Sequence, residues 1–255
     1  MVNLQDTCCL DIYFDTKNQS IHYGEGVYPS LTNRISLSNL IPTLLNKALM
    51  YPEVVYEEHR QVFHEQDRNL ANDGISFDLI TLPAGLLGIE FIKTHIYYSP
   101  KDEGGSKFST VVEVHYGVLT VLMQKNAPKG ELDFETSVEE GLVVKLKKGE
   151  KLAIPVGYYY TFINTQDNPV VFVRIFKKSG SFDYTYLKRE NGLAYYCIRK
   201  NARQEIVHNP LYRDIPRIKK LPANSFLEEI GISVEQGLYA QLRTNKNQFL
   251  EQLWG

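Results

Sequence analysis

The side chains best suited to proton transfer in this sequence are carboxylates, imidazoles and phenols placed at every second position. Three such sets occur: His95, Tyr97 and Ser99; Glu113 and His115; and Tyr158 and Tyr160. Because successive residues of a β-strand point to opposite faces, each set predicts side chains that share one face of a strand. A buried carboxylate has a raised pKa, and a phenol can donate a hydrogen bond to an oxyanion. The pattern therefore predicts acid–base groups on a framework of strands.

Composition limits the kind of partner that such groups would meet. The 255 residues include 28 basic and 30 acidic side chains, for a net charge of -2, with 17 tyrosines and only 6 histidines. No long basic run provides the electrostatic footprint of nucleic-acid or anionic-membrane binding. Apolar runs of about ten residues are too short to span a bilayer, which takes about 20. We expect a small molecule or another protein as partner, and neither nucleic acid nor membrane.

Cysteine usage indicates a reducing compartment. Cys8, Cys9 and Cys197 cannot all pair within one chain, and no C-x-x-C spacing occurs among them. Residues 1–7 are polar and lack the apolar core of a secretory signal. We therefore expect a cytoplasmic protein with free thiols.

Apolar spacing and Gly/Pro punctuation predict the elements that carry the candidate residues. A short helix is expected over 37–50, with Ser38 and Asn39 as capping candidates, a hairpin over 193–208, and a helix over 233–254. Runs rich in Val, Ile, Phe, Tyr and Thr predict strands of an antiparallel sandwich or barrel. The expected strands are 54–63, 76–82, 90–98, 110–124, 141–146, 151–154, 159–164 and 170–176.

The segment from Gly149 to Asn164 carries the strongest signal for a particular fold. Gly149 is followed by Pro155, Gly157, Tyr160 and Asn164. The segment resembles the second motif of the cupin family, G-x5-P-x-G-x2-H-x3-N, at every fixed position except the histidine, which is Tyr160. The resemblance implies a mainly β chain with a single jelly-roll barrel (a double-stranded β-helix) and short N-terminal and C-terminal helices. We expect residues 1–52 to form an arm with a helix, 53–212 the barrel, and 213–255 an extension that ends in a helix.

Within the cupins, the chain resembles the archaeal-type glucose-6-phosphate isomerase family over about residues 54–212. The segments that carry the resemblance are 52–57 (PEVVYE), 88–94 (GIEFIKT), 112–116 (VEVHY), 121–124 (VLMQ), 181–184 (SFDY) and 209–212 (NPLY). The resemblance implies an aldose–ketose isomerase that binds a sugar phosphate inside the barrel. On the ligand side it leaves Thr94 and Tyr184 as phosphate or hydroxyl contacts. Further predicted ligand contacts are Tyr158, His95 and His115.

The same resemblance implies a divalent metal held by an H-x-H pair, a glutamate and a final histidine. An ungapped match over residues 88–94 places the H-x-H positions at Tyr97 and Ser99. It retains the glutamate as Glu113 and places the final histidine at Tyr160. Neutral phenols and a serine do not replace imidazole as ligands of Fe, Ni, Zn or Mn. We therefore predict no metal at the family position and no other cofactor.

Several interpretations of the remaining polar residues stay open at this point. Glu113 can lie beside Tyr97 and Tyr160 as an acid–base set, or the phenols can simply cover the core. His95, Glu113 and His115 can form a relocated metal site, or they can be ordinary polar residues with water or hydrogen-bond partners.

Three functions fit the sequence. The first is a sugar-phosphate isomerase of this family that has diverged and lost the metal. The second is a metal-independent isomerase, lyase or cyclase for a more hydrophobic molecule, favoured by apolar residues where the family has polar ones, namely Leu79, Ile80, Ile96 and Phe182. The third is a non-catalytic binding protein. We also expect a homodimer, and a lid formed by the loop over 99–106.

Overall fold

The polypeptide folds mainly into short strands. The computed structural model describes residues 1–100, 105, 107–127, 136–177 and 184–254. Within these ranges the strands are β1 (Val2–Asn3), β2 (Ile12–Asp15), β3 (Ser20–Tyr23), β4 (Val27–Tyr28), β5 (Leu31–Ser36), β6 (Val54–Arg60), β7 (Phe63–His64), β8 (Ile75–Leu82), β9 (Leu86–Leu87), β10 (Glu90–Phe91), β11 (Tyr97–Tyr98), β12 (Phe108–Tyr116), β13 (Val118–Asn126), β14 (Val138–Lys147), β15 (Lys151–Pro155), β16 (Tyr158–Ile163), β17 (Val170–Lys177), β18 (Tyr195–Lys200), β19 (Arg203–His208) and β20 (Lys219–Leu221).

The helices are short and lie mostly in the flanking segments. In the described ranges they are α1 (Gln5–Cys8), α2 (Leu37–Leu40), α3 (Asn69–Asn72), α4 (Thr185–Arg189), α5 (Leu238–Thr244) and α6 (Lys246–Trp254), with 3-10 turns at Ile41–Thr43, Glu65–Asp67 and Glu228–Ile230. None of the helices in this part of the chain is long and apolar enough to cross a membrane.

Two large sheets form the body of the molecule. One has the strand order β15, β12, β17, β8, β6, β5, and the other has the order β11, β16, β13, β14, β20. Neighbouring strands of both sheets run antiparallel, apart from β14 and β20, which are parallel. The two flanking segments therefore each add an edge strand to the barrel, β5 to the first sheet and β20 to the second.

Apolar side chains form three cores around these sheets. The inner core lies between the two sheets and includes Ile80, Val114, Val121, Phe162 and Phe172. The first outer core joins the outward face of the six-stranded sheet to β2 and α5, and it includes Phe14, Phe77, Val173 and Leu238. The second outer core joins the outward face of the five-stranded sheet to α4 and β18, and it includes Leu122, Ile163, Leu187 and Tyr195. Both sheets are thus buried on two faces, which explains their nearly continuous apolar runs.

The mainly β cupin barrel with short helices is confirmed, while several predicted boundaries are wrong. The strand expected over 110–124 is two strands that turn at Gly117, where φ is 78° and a Cβ would collide with the backbone of Pro169. The strand expected over 90–98 is broken between β10 and β11, and the helix expected over 37–50 lasts one turn before the 3-10 turn that contains Pro42. The N-terminal strands β1 to β5 have no counterpart in the prediction, because their runs are too short for a periodic signal.

Candidate functional site

Alternation along the strands decides which polar side chains face the barrel interior. Tyr56, Ile80 and Val112 belong to the inner core, whereas Leu79 and Val111 belong to the first outer core. Residues two positions apart share a face of a strand. Among the polar residues of the six-stranded sheet, Glu58, Asp78, Thr110 and Arg174 therefore point inward, whereas Glu113 and His115 point outward.

His95 lies at the inner surface beside two tyrosines. The hydroxyl of Tyr56 accepts a hydrogen bond from the His95 backbone N–H at 3.4 Å and shares a second hydrogen bond with Nδ1 of its ring. The His95 ring centroid lies 4.1 Å from that of Tyr97. Although the residue is partly exposed, desolvation lowers the pKa of His95 to about 4. The imidazole is therefore neutral near pH 7 and carries one proton, either on Nδ1 or on Nε2.

A buried guanidinium, that of Arg174, lies against the same Tyr97. Its Cζ is 3.9 Å from the Tyr97 ring centroid, and its Nη2 is 3.3 Å from Asp78 Oδ2 and 3.7 Å from Glu58 Oε1. Burial raises the pKa of Asp78, although Arg174 opposes the shift. Burial also acts upward on Glu58, but Arg174 and other positive neighbours outweigh it, so the pKa of Glu58 is lowered. A charged network therefore adjoins the imidazole and the phenols.

The two tyrosines that stand at expected histidine positions are neighbours. Tyr97 of β11 is directly opposite Tyr160 of β16, and their rings stack with centroids 5.3 Å apart. The Tyr160 hydroxyl lies 3.3 Å from that of Thr110, and the Ser99 hydroxyl lies 2.5 Å from that of Ser109. The structure thus brings Tyr97 and Tyr160 together at the inner surface, as the sequence pattern predicts.

Glu113 does not lie with these tyrosines, so the predicted acid–base set that included it is wrong. Val112 and Val114 take the inward positions of β12, and Glu113 therefore points to the outer face. Its Oε2 accepts the backbone N–H of Leu238 at 2.9 Å, and its Oε1 lies 3.1 Å from Lys151 Nζ. Burial raises the pKa of Glu113, and Lys151 opposes this shift. The carboxylate binds the C-terminal segment rather than a ligand inside the barrel.

His115 also faces outward, so His95, Glu113 and His115 do not form the relocated metal site. Nδ1 of His115 lies 2.9 Å from the hydroxyl of Thr7, and desolvation lowers its pKa to about 3. The same orientation contradicts its predicted contact with a ligand in the interior. No group of three His, Cys, Asp or Glu residues that could hold a metal occurs in the described part of the chain.

Thr94 and Tyr158 are both committed to contacts within the protein. The Thr94 hydroxyl donates to the backbone carbonyl of His95 at 2.9 Å and accepts the backbone N–H of Phe162 at 3.1 Å. The Tyr158 hydroxyl donates to Glu140 Oε2, and burial together with that carboxylate raises the pKa of Tyr158. Both side chains therefore support the barrel wall in this structure.

Tyr184 is the predicted contact that remains near the interior network. The residue is partly exposed. Burial raises the pKa of Tyr184, Tyr160 acts in the same direction, and the positive charge of Arg174 opposes the shift. Residues 181–183 of the SFDY segment and most of the loop over 99–106 lie outside the described residues.

The apolar residues that favoured a hydrophobic ligand do not share one surface. Leu79 belongs to the first outer core, Ile80 to the inner core and Ile96 to the second outer core. Phe182 lies outside the described residues. The three replacements that the structure describes therefore do not line a common apolar pocket.

Sequence reasoning missed Tyr56, Glu58, Asp78 and Arg174. The available signal was a charge in the middle of an apolar run: Arg174 interrupts 170–176, and Asp78 interrupts 76–82. A charge at an inward position is costly unless it is paired, so such interruptions indicate a buried network. The strand register then sets Arg174 directly opposite Asp78.

Comparison with known proteins assigns this chain to a family. The family model for glucose-6-phosphate isomerase (GPI) matches residues 38–213. The glucose-6-phosphate isomerase of Thermococcus onnurineus is 24% identical over 168 residues, which cover 66% of this chain and 78% of that protein. The enzyme of the same name from Thermococcus kodakarensis is 23% identical over 169 residues, or 66% and 78% of the two chains. A crystal structure of the coconut allergen cocosin matches 59% of this chain and 31% of its own, at 18% identity and a TM-score of 0.35. The match over residues 38–213 covers most of the sequence, and the chain belongs to the glucose-6-phosphate isomerase (GPI) family.

Proposed function

We propose that this protein interconverts the aldose and ketose forms of a phosphorylated sugar inside the barrel, without a metal at the family position. Family membership supports the reaction class. The observation that carries the proposal is the partly exposed His95, whose Nδ1 is hydrogen-bonded by Tyr56 at the inner surface. It is a neutral proton donor that combines partial exposure with a hydrogen bond that orients its ring.

The chemistry of the donors supports the absence of the family metal. The uncharged polar groups at this surface are the hydroxyls of Tyr97, Tyr160 and Thr110 and the imidazole of His95, which is already hydrogen-bonded through Nδ1. These neutral oxygens are poor ligands for the transition metals that imidazole binds. The residues therefore do not fit the metal.

His95 supplies what isomerisation needs at the substrate oxygens. Whether hydrogen moves as a proton through an enediol or as a hydride, negative charge develops on the oxygens of the two reacting carbons. The Nε2–H of neutral His95 can donate to the carbonyl oxygen of the open-chain sugar. This tautomer requires that Nδ1 accepts the hydrogen bond of the Tyr56 hydroxyl, which would also hold the ring in place. Tyr56 is therefore a positioning residue.

The first test is turnover of fructose 6-phosphate in a coupled assay, with and without a chelator. We expect activity that the chelator does not change. His95→Leu removes the donor and should lower kcat about 100-fold or more. His95→Gln, which returns an N–H donor, should recover part of that loss, whereas the exposed His22→Gln should behave as wild type.

Three results would contradict the proposal: no turnover by the wild-type protein, complete inhibition by the chelator, or equal activity of His95→Leu and wild type. Circular dichroism of each variant separates a chemical effect from misfolding. Deuterium incorporated at C2 in heavy water would assign the enediol route.

A second candidate is a metal-independent enzyme for an aromatic small molecule. It is favoured by the continuous ring contacts inside the barrel, where Tyr97, Tyr160, Phe162 and Phe172 follow one another with centroids 4.7 to 5.5 Å apart. Such surfaces suit planar apolar ligands. The fructose 6-phosphate assay separates the two candidates directly.

A further inference from the structure

One carboxylate oxygen and one guanidinium nitrogen inside the barrel lack hydrogen-bond partners among the described residues. These atoms are Glu58 Oε1 and Arg174 Nε. Both side chains are more than nine-tenths buried, with exposed fractions of 1% and 7%. Glu58 Oε1 lies 3.7 Å from Arg174 Nη2, which is beyond hydrogen-bond distance. An acceptor and a donor are thus left unused next to each other.

The other carboxylate oxygens of this network have partners. Glu58 Oε2 accepts from Arg60 Nε at 2.9 Å. Asp78 accepts from the hydroxyl of Ser76 at 2.6 Å and the backbone N–H of Gln61 at 3.0 Å through Oδ1, and from Arg174 at 3.3 Å through Oδ2. Buried polar atoms in native proteins are nearly always paired, so two adjacent exceptions indicate a place for a ligand group.

We propose that Glu58 and Arg174 form a subsite for the hydroxyl groups of the substrate, distinct from the place that holds its phosphate. A hydroxyl satisfies both atoms at once, since its oxygen accepts from Arg174 Nε and its proton goes to Glu58 Oε1. A phosphate satisfies only the donor and brings negative charge towards two carboxylates, Glu58 and Asp78. The charge balance therefore selects a neutral polyol segment.

The position of the subsite fits the proposed reaction, on which its assignment to a sugar substrate rests. Arg174 lies over one tyrosine ring, that of Tyr97, which contacts the ring of the partly exposed His95. Hydroxyls held by Glu58 and Arg174 therefore lie close to the imidazole. A ligand reaches the pair when the intervening Tyr97 ring moves aside.

The test compares three probes by calorimetry and ligand-observed NMR: the neutral polyol glucitol, inorganic phosphate and fructose 6-phosphate. Arg174→Lys keeps a positive charge but removes Nε, and Glu58→Gln keeps the shape but removes the carboxylate. We expect both variants to weaken glucitol binding about tenfold and to leave phosphate binding unchanged. The matched controls are Arg34→Lys and Glu57→Gln, an ion pair at 2.9 Å between the neighbouring strands β5 and β6, and these should bind all three probes as wild type does.

The possible outcomes separate this inference from the proposed function. Absence of glucitol binding by the wild-type protein, or weakening of phosphate instead of glucitol by Arg174→Lys, overturns the subsite. Turnover of fructose 6-phosphate with an unchanged KM in folded Glu58→Gln also overturns the subsite and leaves the isomerase proposal intact. Glucitol binding that both variants weaken, in a wild-type protein without turnover, supports the subsite and refutes the isomerase. Thermal unfolding of each variant identifies any that fail to fold. If Arg174→Lys does not fold, the binding measurements on Glu58→Gln test the subsite.

Discussion

A single amide group, that of Asn164, joins two parts of the chain. Its Nδ2 donates to the carbonyl oxygens of Leu82, Pro83 and Asn168 at 2.8 to 3.2 Å, and its Oδ1 accepts the backbone N–H of Gln166 at 3.0 Å. The residue is fully buried. The asparagine that ends the cupin motif therefore ties the turn after β16 to the end of β8.

We expect Asn164→Asp to destabilise the fold strongly. The substitution keeps the shape of the side chain, but it points a carboxylate oxygen at three carbonyls and removes both N–H donors. The cost should be about 2 to 4 kcal/mol in the free energy of unfolding, measured by urea denaturation. Asn168→Asp is the control, because that side chain is exposed and only its backbone carbonyl takes part. Equal stability of the two variants would refute this role.

At the level of secondary-structure elements, the C-terminal segment is held on the barrel by a buried ion pair. Lys151 Nζ donates to the carbonyl of Val234 at 2.7 Å and lies 3.1 Å from Glu113, whose other oxygen accepts from the first residue of α5, Leu238. Lys151 and Glu113 are almost completely buried. Strand β12 therefore uses its inward face for the barrel and its outward face to hold α5.

Removing one member of this pair should loosen the C-terminal segment without affecting chemistry. Glu113→Gln leaves a buried ammonium without its counter-charge, and Lys151→Met leaves a buried carboxylate. Each should cost about 3 to 5 kcal/mol, and the double variant should recover much of the loss. Urea unfolding and limited proteolysis around residues 222–237 measure the effect.

Activity provides the contrasting readout for the same variants. At a temperature where Glu113→Gln remains folded, its kcat should equal that of wild type, because the carboxylate faces away from the barrel interior. A kcat loss comparable to that of His95→Leu would show that Glu113 takes part in the reaction.

For the whole molecule, burial of histidines predicts lability in acid. Desolvation lowers the pKa of His95 to about 4 and that of His115 to about 3, and it also lowers the pKa of His59. Below the unfolded-state pKa of about 6.5, the unfolded chain binds protons that the folded chain does not, so stability falls as the pH falls. Asp78 and Glu113, with raised pKa values, act in the opposite direction.

The free energy of unfolding should therefore decrease between about pH 6.5 and pH 4, by up to about 1.4 kcal/mol per pH unit for each of these histidines. Urea titrations across this range measure the slope. His115→Gln removes one titrating group, and its slope should be smaller by that amount. An identical slope in His115→Gln and wild type would mean that another group causes the acid sensitivity.

The success of sequence reasoning followed the strength of the local signal. The strands of the barrel and the proximity of Tyr97 and Tyr160 were predictable, because apolar runs and alternation are local. The outward orientation of Glu113 was not predicted. The resemblance to the family implied that Glu113 is an inward ligand, but Val112 and Val114 on either side of it take the inward positions. Arg174 and Glu58 come from separate strands, and only the arrangement of the sheet shows that they meet.

The contacts of the outer face also determine the order in which this protein can be completed during synthesis. Glu113 receives its hydrogen bond from a residue 125 positions later in the chain, and Tyr239 donates to Asp67 across 172 positions. A ribosome makes the strands of the barrel well before it makes α5. Until then Glu113 and Lys151 lack two of their partners, the backbone N–H of Leu238 and the carbonyl of Val234. Completion of this part of the outward face is therefore a long-range event that closes a large loop of the chain.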